Sequence, residues 1–546
     1  MSAAQEKSGE VSYHENKLGV QVDHTIVVSG NEAFKQALIQ EPPKPYAGIS
    51  IYLYLCCILG FFCSTMNGYD GSLLNSLLES KTFLQKYHGE NSGIWAGIVT
   101  NMYTIGGVVA LPFIGPALDT WGRRWGMFIG CFAVVVGTII MGASSYNYSV
   151  GQFMGGRFFA GWGVAVACAA GPIYVVEVSH PAYRSIVGGF YNTFWFTGSI
   201  LSAGVTRGTE NLGGNKSWTV SLWFQLFFPA LVCLFCLFLP ESPRWLYVSG
   251  QLDKAKAVLT KFHGYGNSDS VWVSMQLSEY EEYLELNGSD KRWWDYRALF
   301  KTRSSVNRLF CNCAIQAMGQ EAGNGQYSIG LSAAFETAGF TDTNSQHNLT
   351  LGNACQQFFF AMVGASLVDK VGRRPLLIFS NLACSITWAA MCIAASVFAS
   401  SGEKNVAAGN TTLAFQFIFG AVFSIGFTPL QALYPVEVLN FEIRAKAMAF
   451  GNLIMNIVMI FNNYVWPVCL KAIGWHSYII FCLWCSIQAI IIYFFIPETK
   501  QRTLEELDKI FSAPRLRQAV KISLEKHEAG VTNTGEVMVI DEKPGA

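Results

Sequence analysis

Two charged residues inside otherwise apolar stretches raise the first chemical question. Asp70 lies in Asn67-Gly68-Tyr69-Asp70-Gly71-Ser72-Leu73, at the end of the first long apolar run, and Arg157 lies near the start of the fourth. A charge at membrane depth costs at least about 2.5–3.5 kcal/mol, so it needs a partner or a function. The two are candidate partners. Protonating Asp70 weakens such a pair, which links proton binding to conformation. The plainer alternative places Asp70 in an outer vestibule with no coupling role. A third charge, Glu321, stands in the middle of the seventh run. It can bond a substrate hydroxyl, take a proton or pair with a cationic substrate, or it can simply rest in water at a cavity edge.

A second group of charges repeats. Asp119-Thr120-Trp121-Gly122-Arg123-Arg124 returns 250 residues later as Asp369-Lys370-Val371-Gly372-Arg373-Arg374. Glu177…Arg184 returns as Glu437…Arg444 after 260 residues, and Pro240-Glu241 returns as Pro497-Glu498 after 257. Three markers in the same order mean one unit used twice. Each Asp-to-Arg loop must reverse the chain tightly, hence Gly122 and Gly372. Its arginines suit helix C-terminal carbonyls and an acid, while its Asp suits a helix N-terminus. Such a clasp can hold helices together in one conformation and release them in another. The alternative is simple positive-inside anchoring.

The elements that carry these residues follow from composition. Of 546 residues, 51% are hydrophobic and 14% charged, against about 25% charged in an ordinary soluble protein. Twelve apolar runs, near 49–67, 93–113, 125–145, 150–172, 186–206, 218–239, 307–331, 349–368, 375–400, 411–435, 446–470 and 474–496, have the length of helices crossing a bilayer. The fold class is therefore an all-α membrane protein with the lipid bilayer as its main partner. Residues 1–48 read as a disordered cytosolic tail, 49–239 as one six-helix bundle and 240–305 as a linker with short helices. Residues 306–497 form the second bundle and 498–546 a cytosolic tail with an amphipathic start. The zero net charge gives no reason to expect nucleic acid. The 15 cysteines fall largely in apolar runs as small apolar residues. No spacing suits a metal and no nucleotide-binding loop appears, so neither metal, cofactor nor enzymatic chemistry is expected.

Basic residues set the orientation. Arg123, Arg124, Arg184, Lys370, Arg373, Arg374, Arg444 and Lys446 fill the gaps on the side of the repeated motifs. That side, the linker and both termini are assigned to the cytoplasm. Four sequons, at Asn147, Asn215, Asn348 and Asn410, fall in gaps on the opposite side as possible glycosylation sites, whereas Asn287 falls in the linker.

With these residues in place, the chain resembles the sugar porter family of the major facilitator superfamily over roughly residues 50–510. The resemblance is carried by Asp119–Arg124, Gly156-Arg157, Pro172-Ile173-Tyr174…Glu177…Arg184, Pro240-Glu241-Ser242-Pro243-Arg244-Trp245-Leu246, Asp369–Arg374, Tyr434-Pro435-Val436-Glu437…Arg444 and Pro497-Glu498-Thr499-Lys500. Within the family it looks most like the fungal lactose permease and cellodextrin transporter branch, on Asn67–Leu73, Trp293-Trp294-Asp295-Tyr296, Gly323-Asn324-Gly325 and Thr428-Pro429-Leu430-Gln431. It implies two pseudo-symmetric six-helix bundles that rock about one central substrate site, in a monomer of the plasma membrane. It also implies a proton-coupling acid at Asp70 with an arginine at Arg157. The second half has Phe417 where the repeat would place a matching arginine.

A sugar offers many hydroxyls, and Asn and Gln answer them because they donate and accept at once. The expected substrate residues are Asn192, Gln316, Gln320, Glu321, Asn324, Gln357, Asn456 and Asn463, with Gln356 and Asn462 as neighbours. Some of these amides are expected only to bond other helices. Hexose porters usually carry Trp at the positions of Ala432 and Asn456, and paired tyrosines where Ile329 and Gly330 stand. Losing two indoles points to a larger or more polar substrate, such as a disaccharide. The function expected is sugar import with proton symport. An uncoupled porter, a porter of a non-sugar metabolite and a non-transporting sensor are the competing readings.

Overall fold

The computed structural model describes residues 37–540 apart from 38, 91–92, 288–296, 325–326, 328–334, 336–341, 402–404, 440, 501–503, 525–527 and 532–536. The tail before residue 37, the tryptophan pair of the linker, Gly325, Ile329 and Gly330 thus lie outside the described residues, as do the side chains of Asp369, Ala432 and Arg444.

Twelve spans form. They are span 1 (Gly48–Glu79), span 2 (Ile94–Trp121), span 3 (Arg123–Asn147), span 4 (Val150–Val178), span 5 (Arg184–Glu210) and span 6 (Lys216–Phe224 with Phe227–Phe235). After the linker come span 7 (Arg303–Glu321 in the described residues), span 8 (Thr343–Val371), span 9 (Arg373–Ser400), span 10 (Val406–Val438), span 11 (Phe441–Ile473) and span 12 (Ser477–Phe495). By length and apolarity alone nine segments of the described residues qualify as membrane-crossing, one of them covering spans 11 and 12 together. Span 5 and the described part of span 7 do not meet that criterion. Large apolar side chains such as Leu234, Phe359, Ile386 and Ile490 stand exposed on helix faces, which suits contact with lipid. Spans 3 and 4 approach at glycines: a Cβ on Gly137 would lie 2.7 Å from the Gly156 carbonyl oxygen, the close backbone contact that small residues allow in membranes. Outside the bundle, the tail adds helices Leu504–Phe511 and Leu516–Leu524 and a short antiparallel hairpin, Glu528–Val531 with Val537–Ile540.

The repeated motifs build the same clasp twice. Arg123 forks onto Glu177, with Nε to Oε2 at 2.9 Å and Nη2 to Oε1 at 3.2 Å, and donates Nη1 to the Leu118 carbonyl. Glu241 accepts the Arg123 backbone N–H and the Arg124 Nε, and Ser242 donates its hydroxyl to Glu177. In the second half Arg373 holds Glu437 with Nη2 at 2.7 Å and donates Nη1 to the Val368 carbonyl. Glu498 accepts the backbone N–H groups of Arg373 and Arg374, while Thr499 donates to Glu437. Tyr174 to the Pro240 carbonyl and Tyr434 to the Pro497 carbonyl complete the match. Each clasp ties the span 2–3 or 8–9 turn to the end of span 4 or 10 and to the chain leaving span 6 or 12. Arg184 does not join Glu177; it lies beside His180, which follows span 4, and His263 and Tyr280 of the linker.

The linker helices Pro243–Val248, Leu252–Phe262 and Val271–Asn287 dock on the first bundle. His263 Nε2 meets the Val178 carbonyl at 3.0 Å and its Nδ1 meets the Gln276 amide at 2.7 Å. The end of the N-terminal tail, expected to be disordered, is strapped to this unit. Trp272 Nε1 donates to the Glu41 carbonyl, Ser270 to the Glu41 carboxylate and Tyr183 to the Pro43 carbonyl.

The two bundles meet at the end opposite the clasps. Asn101 Nδ2 donates to the Ile460 carbonyl at 3.1 Å, Asn463 Nδ2 to Thr104 at 3.3 Å, the Gly93 N–H to the Pro467 carbonyl at 3.1 Å and Arg207 Nε to Asn348 at 2.7 Å. Lys471 pairs with Glu90, and Glu79 accepts from His347 at 2.7 Å and Thr350 at 2.6 Å. The structure is thus closed at this end.

Two outcomes follow from this architecture. Gly122 has φ +93° and a Cβ there would lie 2.6 Å from Glu241 Oε2, whereas a Cβ on Gly115 meets nothing within 4 Å. Gly122→Ala is expected to destabilise the purified protein by about 1–3 kcal/mol, read as a lowered melting temperature, and Gly115→Ala to leave it unchanged. Burial, aided by neighbouring Arg184, holds His263 at about 4, and burial with His263 and Arg184 nearby holds His180 at about 3. The undocked linker takes up protons below about pH 6.5 while the docked linker does not. Docking should therefore weaken as pH falls from about 6.5 toward 4, seen as faster hydrogen exchange in residues 252–280; a pH-independent exchange profile, after intrinsic-rate correction, contradicts this.

Candidate functional site

Span 6 is broken where Asp70 needs it. Pro229 cannot donate to the carbonyl of Gln225, and the helix interrupts at Gln225-Leu226. The break places Gln225, 1% exposed, beside Asp70, which is 0% exposed. The expected partner Arg157 is also buried and close, but its Nη1 donates to the Asp70 backbone carbonyl at 3.2 Å rather than to the carboxylate. Its guanidinium stacks over the Tyr103 ring at 4.8 Å, and Tyr103 donates to Asn67. Neither carboxylate oxygen of Asp70 has a hydrogen-bond partner, nor does either polar atom of the Gln225 amide. Tyr69 and Ser72 fasten the helix around Asp70, the first to the Ser221 carbonyl at 2.8 Å and the second to Ser199 at 2.8 Å.

The second half has its own break. Span 7 stops at Glu321, and Gly323 takes φ +103°, where a Cβ would lie 2.5 Å from the Trp388 ring. The freed carbonyls are captured. Trp388 Nε1 donates to the Ala322 oxygen at 3.1 Å, and Asn462 Nδ2 to the Gln320 oxygen at 3.0 Å. Pro435 frees the Gln431 carbonyl on span 10, and Gln316 Nε2 takes it at 3.3 Å, leaving Gln316 Oε1 buried without a donor. Beyond the break, Tyr327 donates to Asn353 at 2.5 Å and accepts from Gln357 at 3.2 Å. Gly420 of span 10 makes room, since a Cβ there would lie 2.6 Å from the Tyr327 hydroxyl.

Among the expected substrate residues, Gln316, Gln320, Glu321, Asn324 and Gln357 cluster around the span 7 break. Glu321 is half-buried, and Asn192 stands exposed on span 5. Asn456 bonds its own helix, with Nδ2 to the Asn452 carbonyl at 2.8 Å, and Asn463 bonds across to Thr104 in the inter-bundle contact. Gln356 donates to the Phe417 carbonyl of span 10, the helix-bonding role anticipated for some amides. The sequence reading passed over Gln225 and Asn353, and used Gln431 only for the resemblance. The signal available was an amide within an apolar run, with a proline four residues on for Gln225 and Gln431. Among the sequons, Asn147 and Asn215 are exposed at adjoining loops, where Asn215 bonds Tyr148, and Asn410 is exposed within span 10. Asn348 accepts from Arg207, and its sequon Thr350 is bonded to Glu79.

Residues 56–511 match the family described as sugar (and other) transporter. The chain is similar to polyol transporter 5 of Arabidopsis thaliana, 26% identical over 502 residues that cover 89% of this chain and 90% of that one. It is similar to the quinate permease of Emericella nidulans, 23% identical with 87% and 91% covered, and to high-affinity glucose transporter 1 of Candida albicans, 27% identical with 82% and 83% covered. Its fold matches the inward open conformation of the xylose transporter XylE from E. coli with a TM-score of 0.67 at 18% identity, covering 84% of this chain and all of that one. The proton:xylose symporter XylE bound to 6-bromo-6-deoxy-D-glucose matches with a TM-score of 0.68 at 20% identity, 85% and 99% covered. Clasps built twice, breaks in spans 6 and 7 and a match over most of its length agree: this chain is a membrane transporter and belongs to the sugar transporter family of the major facilitator superfamily.

Proposed function

We propose that the protein imports a sugar across the plasma membrane by alternating access coupled to protons, with the clasps, linker and both termini in the cytoplasm. Asp70 carries this reading: it is fully buried and neither of its carboxylate oxygens is hydrogen-bonded, in a structure closed at the end opposite the clasps. As an anion it would be wholly out of water, with only the Gln225 amide beside it and Arg157 committed to its backbone carbonyl, and a proton relieves that cost. In the outward-facing state the same carboxyl would meet water and regain Arg157. The cycle then runs in one sense: proton and sugar bind from outside, the outer end closes, and both leave to the cytoplasm.

The sugar is held by the amides around the span 7 break, Gln316, Gln320, Asn324 and Gln357, with Asn192 contributing from the first bundle and Glu321 available to a hydroxyl. Asn456 in place of an indole, and Ala432 with it, make room for more than a hexose, so a disaccharide is the substrate class we favour. A porter of a non-sugar polyhydroxylated acid is the second reading; the similarity to a quinate permease favours it.

Growth of a sugar-transport-deficient yeast expressing the chain on glucose, lactose, cellobiose, glycerol and galacturonate assigns the class. Growth on a disaccharide supports the first reading, and growth on none favours a non-sugar or export role. With the substrate in hand, an uncoupler should abolish accumulation in the wild type, and Asp70→Asn should abolish accumulation while keeping exchange of labelled for unlabelled substrate. Accumulation that survives the uncoupler refutes symport. Gln357→Ala should raise KM about tenfold, the loss of one hydrogen bond worth ~1.4 kcal/mol, with kcat and melting temperature nearly unchanged.

A further inference from the structure

The contact between His347 and two glutamates has a chemistry that the transport reading leaves unused. Glu79 ends span 1 and Glu210 ends span 5, both in the first bundle, whereas His347 begins span 8 in the second. His347 and Glu79 are almost completely buried, with side-chain exposures of 1% and 0%, and Glu210 stands at 19%. His347 Nδ1 meets Glu79 Oε2 at 2.7 Å, and since a carboxylate only accepts, Nδ1 carries a hydrogen. The other nitrogen, Nε2, faces Glu210 Oε2 at 3.9 Å, and both atoms are buried without a hydrogen-bond partner. A neutral imidazole would therefore turn a lone pair toward a carboxylate. A proton on Nε2 converts that contact into an attraction.

The surrounding charges agree. Arg207 of span 5 is bonded to Asn348, next to His347, and Thr350 donates to the second oxygen of Glu79. Lys81 of the short helix after span 1 and Asp342 at the start of span 8 face solvent at the rim. Between the two carboxylates and Arg207, a charged His347 balances the buried group and a neutral one leaves it with excess negative charge, which is costly out of water.

We propose that His347 is a second proton site, separate from Asp70, that is loaded when the bundles close over Glu79 and Glu210 and unloaded when they part. Parting takes both glutamates away with the first bundle and lets water reach all three groups. Closure at this face therefore binds a proton, and acid on this side favours the closed state. The inference rests on the reading above that this face is outside, and does not depend on coupling at Asp70.

The test labels a cysteine from outside intact cells with a membrane-impermeant maleimide. A Cβ at Gly204 would lie 4.0 Å from Leu351 across the interface, so Gly204→Cys is covered while the face is closed. Leu212, 58% exposed in the neighbouring loop, supplies Leu212→Cys as the reference that removes the effect of pH on the reagent. Relative labelling of Gly204→Cys should be at least about fivefold slower at about pH 5.5 than at about pH 7.5, the lower range of a coupling between two sites. His347→Gln should make labelling fast and independent of pH. Glu210→Gln, which leaves the Glu79 bond in place, should shrink the pH effect and serves where the histidine variant fails to reach the membrane. A wild type without pH dependence, a pH dependence retained in His347→Gln, or an undiminished one in Glu210→Gln, overturns the proposal. Leu212→Cys reachable only from the cytosol overturns the orientation on which it stands.

Discussion

Hydrocarbon supplies no hydrogen bonds, so every polar group carried into the membrane must find its partner within the protein. Most of this structure is a set of answers to that constraint. Where Gly323 breaks span 7, Trp388 and Asn462 take the freed carbonyls. Where Pro435 frees the Gln431 carbonyl, Gln316 takes it. At the clasps, Glu177 and Glu437 each absorb an arginine fork and a hydroxyl. Against that background, two of the places where buried polar atoms lack a partner involve carboxyl groups. Asp70 with Gln225, and His347 with Glu210, are buried without the bonds their neighbours have. The first group is packed within one bundle, whereas His347 and Glu210 meet across the two.

The clasps were the most legible part of the chain, except that Asp119, expected at a helix N-terminus, stays in the last turn of span 2, 3.7 Å from Arg123, and caps no helix. Each is assembled from short-range signals, a glycine turn with two arginines and an acid at the end of a helix, and the duplication confirmed each by the other. Their partners also emerged, because Glu241 and Glu498 repeat as clearly as the arginines. What the sequence could not show is which atom a long side chain selects. Arg157 proved close to Asp70, as its position suggested, yet it bonds a backbone oxygen, a choice made by the packing of Tyr103 and the broken span 6. Asn463 reads like a sugar ligand but bonds Thr104 across the interface, because nothing local in the sequence distinguishes a cavity wall from a contact between bundles. His347 and Glu79 were invisible for the same reason: they are 268 residues apart and meet only when the bundles close.

The repeat and its violations divide the labour of the protein. The symmetric parts, the clasps, tie each half together in the same way. The asymmetric parts are where the proposed coupling and binding lie: a carboxyl in the first half, an amide-lined break in the second, and the His347–glutamate contact between them. A transporter needs this division, since equal binding in both states moves nothing and only differences between the states can couple a proton to a solute.

Coupling at Asp70 is the central claim, and proton movement tests it directly. Cells expressing the chain, suspended in lightly buffered medium, should alkalinise that medium when a transported substrate is added, and cells with Asp70→Asn, present at the same surface level and still exchanging substrate, should not. Substrate uptake by the wild type without alkalinisation, or an undiminished alkalinisation in Asp70→Asn, would contradict the account.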